Sequence, residues 1–149
     1  MPRRSIRERN ILFLCMDNSC ASQIAEAIAK YLAPPKTRIF SAGIAPIDVI
    51  HPLVAKVMKE VGINISGQNV KGLGAVPLEE IDLAVTLSEE IKEKCPALSP
   101  RVKLEHWSIP DPKRASGGEA AMQAVFRYVR DEIDKKVAAL FLDHWRNVA

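Results

Sequence analysis

Four consecutive apolar residues, Ile11-Leu12-Phe13-Leu14, run directly into Cys15, and after Asn18-Ser19 the pattern switches to helical spacing, with Ile24, Ile28 and Leu32 four apart. A continuous apolar run this short reads as a strand buried on both faces of a parallel sheet. Parallel strands need crossover connections, normally helices, so the opening of the chain already implies strand, tight loop and helix. Pro34-Pro35 stops that helix, because proline has no amide hydrogen to give and its ring clashes with the preceding turn.

The same unit recurs downstream. Arg38 to Ala42 reads as a second strand closed by Gly43, and His51-Pro52 opens a helix whose apolar stripe is Val54, Val57, Met58 and Val61, ended by Gly62. Gln68 to Glu80, with Gly72, Gly74 and Pro77, reads as loop or broken helix. Ile81 to Leu87 is a third buried strand, followed by a short helix from Ser88 to about Lys94 with Glu89 and Glu90 in its first turn. Val102 to Trp107 is a fourth strand. Ser108 to Gly118 is a Pro/Gly loop, and a final long helix carries Met122, Val125, Val129, Ile133, Val137 and Leu140. Strands alternating with helices through short connections predict a doubly wound α/β fold. A single domain is expected over residues 10–149, behind a charged leader over 1–9 that contains Arg3, Arg4, Arg7 and Arg9.

Composition narrows the function classes. At 149 residues, 48% hydrophobic and 26% charged, the chain is long enough to bury a core and is not of a disordered or fibrous type. Its net charge is only +3, partly from the leader, and Trp107, Trp145 and Tyr128 are too dispersed for base stacking, so no nucleic-acid partner is expected. No apolar run reaches about 18 residues, so neither a membrane span nor an export signal is expected. Three cysteines are odd in number and too few for a disulfide scaffold, which fits a reducing cytoplasm and makes any pairing chemical and transient. His51, His106 and His144 are scattered and suit caps or surface positions, so no metal site is expected.

The chemistry concentrates in the first strand-to-helix loop, Cys15-Met16-Asp17-Asn18-Ser19-Cys20-Ala21-Ser22. In open parallel sheets ligands bind beyond the carboxyl ends of the strands, and this loop is the favoured place. A cysteine there, facing backbone N–H groups and the positive end of a helix, is expected to have its thiol pKa lowered. The same N–H groups suit a tetrahedral oxyanion held against the sulfur, so the loop suggests thiolate attack on phosphate or arsenate.

The string Cys15-x-x-Asn18-Ser19-Cys20-x-Ser22-Gln23-x-Ala25-Glu26-Ala27 resembles the active-site loop of the low-molecular-weight protein tyrosine phosphatases and, more closely, of the thioredoxin-coupled arsenate reductases that share their fold. Phe40-Ser41-Ala42-Gly43-Ile44, His51-Pro52 through Ser66, Val85-Thr86-Leu87 with Cys95-Pro96, Trp107 with Ile109-Pro110-Asp111-Pro112, and Val125 to Ile133 continue the resemblance in order, from about Asn10 to Leu142. The resemblance implies a four-stranded parallel sheet flanked by about five helices. It implies Cys15 as nucleophile, Asn18 shaping the loop, Ser22 donating to the thiolate and Asp111 as general acid. The anion nest would comprise Asn18, Ser19, Cys20, Ala21 and Ser22. No organic cofactor is implied, and the partners would be an oxyanion (arsenate, phosphate or sulfate) and thioredoxin or a similar thiol donor.

Two positions depart from the family pattern. The phosphate-binding loop is Cys-x5-Arg, and here Ala21 occupies the arginine's place, so the bidentate guanidinium grip is missing. Ser88 stands where the reductases carry the middle cysteine of a three-thiol relay, so a route from Cys15 to Cys95 through that position is broken. By resemblance Cys95 matches the outer relay cysteine, and Cys20 and Cys95 are the two candidate resolving thiols. Arg114, three residues past Asp111, is a cation whose loop could reach the site, and Asp17 adds a negative charge near it. The leading expectation is an arsenate reductase-like protein, or a weak phosphotyrosine phosphatase. The alternative is a non-catalytic or redox-sensing relative that binds an anion or a partner.

Overall fold

The computed structural model describes the backbone of residues 9–146 and the side chains of residues 9–142. Strand β1 (Arg9–Cys15) is central, with β2 (Thr37–Gly43) on one side and β3 (Leu83–Thr86), then β4 (Lys103–His106), on the other. All three pairings are parallel, and the sheet order is β2-β1-β3-β4.

Alternation along the strands divides the core into two layers. Ile11 and Phe13 of β1 and Leu83 and Val85 of β3 pack against α1 (Ala21–Leu32), α2 (Pro52–Lys59) and α4 (Glu119–Arg146). Leu12, Leu14, Ala42 and Ala84 point the other way, onto Ile91 of α3 (Glu89–Lys94) and onto Val76 and Ile81. Residues Ile11 to Leu14 are all fully buried, as the unbroken apolar run predicts. Each such side chain contributes about 1.5–3 kcal/mol of burial free energy, so this one strand anchors both layers.

The described residues hold four α-helices, close to the about five implied by resemblance, and three short 3-10 turns, Leu73–Ala75, Leu78–Glu80 and Pro112–Arg114. The expected broken segment over 68–80 thus becomes two of those turns. Helix α2 stops at Lys59, earlier than expected, and Val61 is exposed rather than part of the stripe; Gly62, at φ +80, turns the chain away. Strands β3 and β4 are shorter than their apolar runs. β4 is the edge strand, and its Leu104 is 56% exposed. Arg9, placed with the leader by sequence, is the first residue of β1 and pairs with Thr37. The rest of the leader and the side chains of His144 and Trp145 lie outside the described residues.

Candidate active site

Cys15 ends β1, and five residues later α1 begins, so the intervening loop closes at the carboxyl edge of the sheet. Asn18 holds the loop's sharpest bend at φ 58, a left-handed conformation that asparagine tolerates better than most residues. Its side chain spends its whole hydrogen-bonding capacity inside the protein. Nδ2 donates to Ser22 Oγ at 2.8 Å and Ser41 Oγ at 3.0 Å, while Oδ1 accepts from Gln23 Nε2 at 2.8 Å and from the Lys71 N–H at 2.8 Å. The chain after β2 clamps the loop from the side, with the N–H groups of Ile44 and Ala45 donating to the carbonyls of Cys15 and Met16. Gly43 makes this approach feasible, since a Cβ there would stand 2.8 Å from Asn18 N and 2.9 Å from Met16 O.

The sulfur of Cys15 is 2.7 Å from Ser22 Oγ and accepts the Asn18 N–H at 3.2 Å. Asn18 also donates to Ser22 Oγ, which leaves the Ser22 hydroxyl proton available to a Cys15 thiolate. These contacts favour a thiolate, yet burial outweighs them and pushes the Cys15 thiol up, with the Asp17 carboxylate adding to the rise. The expected lowering of the Cys15 pKa is therefore reversed. Cys15 ends the central strand, and Ala21 stands at the loop position where the resemblance places a guanidinium. Cys20, also buried, is pushed up to about 12.

Helix α1 starts without a side-chain cap, leaving the N–H groups of its first turn free of intrahelical partners beside Cys15. Ser19 departs from the expected nest, since both its N–H (3.0 Å) and its hydroxyl (2.7 Å) go to Asp17 Oδ1. The other oxygen of Asp17 pairs with Lys113, a residue sequence reading passed over. Burial works to raise the Asp17 carboxyl, but the hydrogen bonds from Lys113 and Ser19 prevail and hold it below the usual carboxylate range.

These residues open into a cavity of about 410 Å³ that brings together Cys15, Cys20 and Ala21 from the loop, Ser88 at the start of α3, and Asp111 and Arg114 from the turn after β4. Asp111 Oδ1 caps its own turn by accepting the Lys113 N–H at 3.0 Å. Arg114 is 82% exposed, with Nε 3.9 Å from Asp111 Oδ2. Ser88 Oγ caps α3, accepting the Ile91 N–H at 3.3 Å. Cys95 is not a wall of this cavity. It sits at the far end of α3, about 10 Å of helix rise away from Ser88, half-buried, with its thiol pushed up by burial. Of the histidines, His51 caps α2 through Nδ1 and His106 bridges Thr86 Oγ1 and Glu89 Oε1, both structural roles.

Behind the loop lies a buried polar network that sequence reading did not assemble. Glu26, on α1, takes Ser41 Oγ at 2.5 Å, Lys30 Nζ at 2.5 Å and Lys71 Nζ at 3.2 Å. Burial opposes its ionisation, and these three donors reverse that and lower its pKa. Gln23 bridges Asn18 to the Asn69 carbonyl and Gln68. One signal was present, a carboxylate set between Ala25 and Ala27 on an otherwise apolar helix face; its partner Lys71 sits in a loop with no periodicity to mark it.

A strand-end cysteine under a helix N-terminus, faced by an aspartate from the turn after the last strand, defines a thiol site of the phosphatase type. The chain belongs to the low molecular weight phosphotyrosine protein phosphatase family, whose model matches residues 10–148. Within it the chain is arsenate reductase-like: it is 44% identical over 127 residues to the arsenate reductase of Bacillus subtilis strain 168, covering 85% of this chain and 91% of that protein. Among solved structures it superposes on an arsenate reductase in the phosphate binding state with a TM-score of 0.73 at 28% identity, over 95% of this chain and 99% of that one. The thioredoxin-dependent arsenate reductase of Corynebacterium glutamicum gives 0.70 at 27%, over 93% of this chain and 64% of that one. No helix among the described residues is long and apolar enough to cross a membrane.

Proposed function

We propose that this protein reduces arsenate at Cys15. The Cys15 thiolate attacks arsenic(V), and Asp111 protonates the departing oxygen, which leaves as water. A second thiol then attacks the Cys15 sulfur. The sulfur–arsenic bond breaks, its electron pair stays on arsenic, and arsenite leaves as a disulfide forms. The observation that carries the reading is the convergence of Cys15, Asp111 and the uncapped start of α1 on one cavity. The phosphate-binding relative supports an oxyanion as the ligand, and the thioredoxin-dependent one supports a dithiol protein as reductant.

Cys20 is the resolving thiol this arrangement favours, because it shares the cavity with Cys15 whereas Cys95 does not. Arg114 supplies the charge that Ala21 cannot, from a long exposed side chain already at the cavity wall. The test is arsenite release from millimolar arsenate with reduced thioredoxin. Cys15→Ser should abolish it, Cys20→Ser should stall it at the arsenylated or thioredoxin-linked enzyme, and Arg114→Ala should raise KM for arsenate. No arsenite from the wild-type protein overturns the assignment.

A further inference from the structure

The loop that carries the nucleophile follows the central strand β1 and the turn that carries the acid follows the edge strand β4, and a side-chain ion pair joins them. Asp17 belongs to the first. Lys113, two residues past Asp111 in the 3-10 turn Pro112–Arg114, belongs to the second. We propose that Lys113 is a positioning residue whose pairing with Asp17 pins the Asp111 turn onto the Cys15 loop. The role given to Asp111 rests on the function proposed above; the pinning itself does not.

Three features of the structure support this. The two ends of Lys113 act on the two carboxylates separately, with its backbone N–H on Asp111 Oδ1 and its ammonium on Asp17, so the residue fixes the acid's orientation and the turn's location together. Asp17 is itself immobilised by two hydrogen bonds from Ser19, so the anchor point is rigid. The pair is also largely shielded, at 33% and 18% side-chain exposure, whereas the neighbouring Arg114 is 82% exposed. Adjacent residues on one turn thereby divide the work: Lys113 is held against the Cys15 loop, while Arg114, in only a long contact with Asp111, extends into solvent at the cavity wall. Lys113 further neutralises a carboxylate that would otherwise face Cys15 and Cys20 uncompensated, in a loop lacking its arginine.

The test uses Lys113→Met, Lys113→Arg, Asp17→Asn and the Asp17→Asn/Lys113→Met double variant. Hydrogen exchange is read at the amides of Arg114 and Ala115, which close the turn onto the carbonyls of Asp111 and Pro112. The pH profile of Cys15 alkylation by iodoacetamide is read alongside. Lys113→Met should speed exchange at both amides at least tenfold and move the alkylation midpoint upward. Lys113→Arg should restore both, and Asp17→Asn should speed exchange while moving the midpoint downward. The double variant should exchange no faster than either single one. Unchanged exchange in Lys113→Met, or a midpoint that moves the same way in Lys113→Met and Asp17→Asn, overturns the proposal. Neither readout needs turnover: if both respond as stated while the wild-type protein releases no arsenite, the pinning stands and the assigned reaction falls.

Discussion

The hydroxyl of Ser22 lies 2.7 Å from the sulfur of Cys15, seven residues along the chain and at the start of α1, and Asn18 holds that hydroxyl from behind. A relay of donors, Asn18 to Ser22 to Cys15, is thus the main force opposing the burial that raises the thiol pKa. Ser22→Ala removes one hydrogen bond to a charged acceptor, about 1.5–3 kcal/mol, or about one to two pH units at about 1.4 kcal/mol per unit. The alkylation midpoint of Cys15 should rise by that amount, and turnover at neutral pH should fall accordingly; a midpoint that stays put would show that the relay does not act on the thiolate.

Ala21 lines the cavity beside Cys15 where the family carries arginine. Ala21→Arg should restore two charge-assisted hydrogen bonds to an oxyanion. At about 1.5–3 kcal/mol each, they should raise kcat/KM for p-nitrophenyl phosphate by roughly 10²–10⁴. Steady-state kinetics on the two proteins decide it.

Gly43 allows the end of β2 to touch the backbone of the nucleophile loop. Gly43→Ala would press a methyl group to 2.8 Å from Asn18 N. Backbone cannot yield as a side chain tip does, so the loop must shift. The expected cost is roughly 1–3 kcal/mol in urea unfolding. Cys15 should also lose its reactivity advantage over Ser22→Ala, because the amide and the hydroxyl contacts move together.

Ser88 shares the cavity with Cys15 and caps α3. Ser88→Cys should give up about 1 kcal/mol of cap stabilisation while placing a thiol within the same cavity as the nucleophile. Thioredoxin-dependent arsenite release should rise by roughly tenfold, and a trapped disulfide between positions 15 and 88 should be found by mass spectrometry.

The pH dependence of stability follows from Glu26 and Asp17, both of whose carboxyls are held below their ordinary values despite burial. A depressed carboxyl stabilises the fold above the unfolded pKa, near 4, and this contribution is lost as pH falls through the lower folded value. Unfolding midpoints in urea should therefore drop between about pH 5 and pH 2. Glu26→Gln should be less stable than wild type at pH 7, with Lys30 and Lys71 left facing a neutral group, and should show a shallower acid decline.

Much of this was legible in the chain itself. Ile11 to Leu14 read as a strand covered on both faces, since in a strand four adjacent apolar side chains alternate sides and each side must be dry. Pro34-Pro35 had to end the first helix for reasons of backbone geometry alone, whereas the second stopped at Lys59, ahead of the Gly62 that the sequence offered as its end. The order of motifs around Cys15 marked the family, and with it Asp111 and the missing arginine.

Tertiary structure decided the rest, because it depends on distances between segments that no local pattern encodes. The Cys15 thiol was expected to be acidic from the helix and amides in its own loop, but the burial that overrides them comes from packing. Lys113 and Lys71 look in sequence like ordinary surface lysines, and only the fold brings one to Asp17 and the other to Glu26. Local chemistry is written residue by residue, whereas the balance of charge and solvent around a group is set by whatever the rest of the chain places against it.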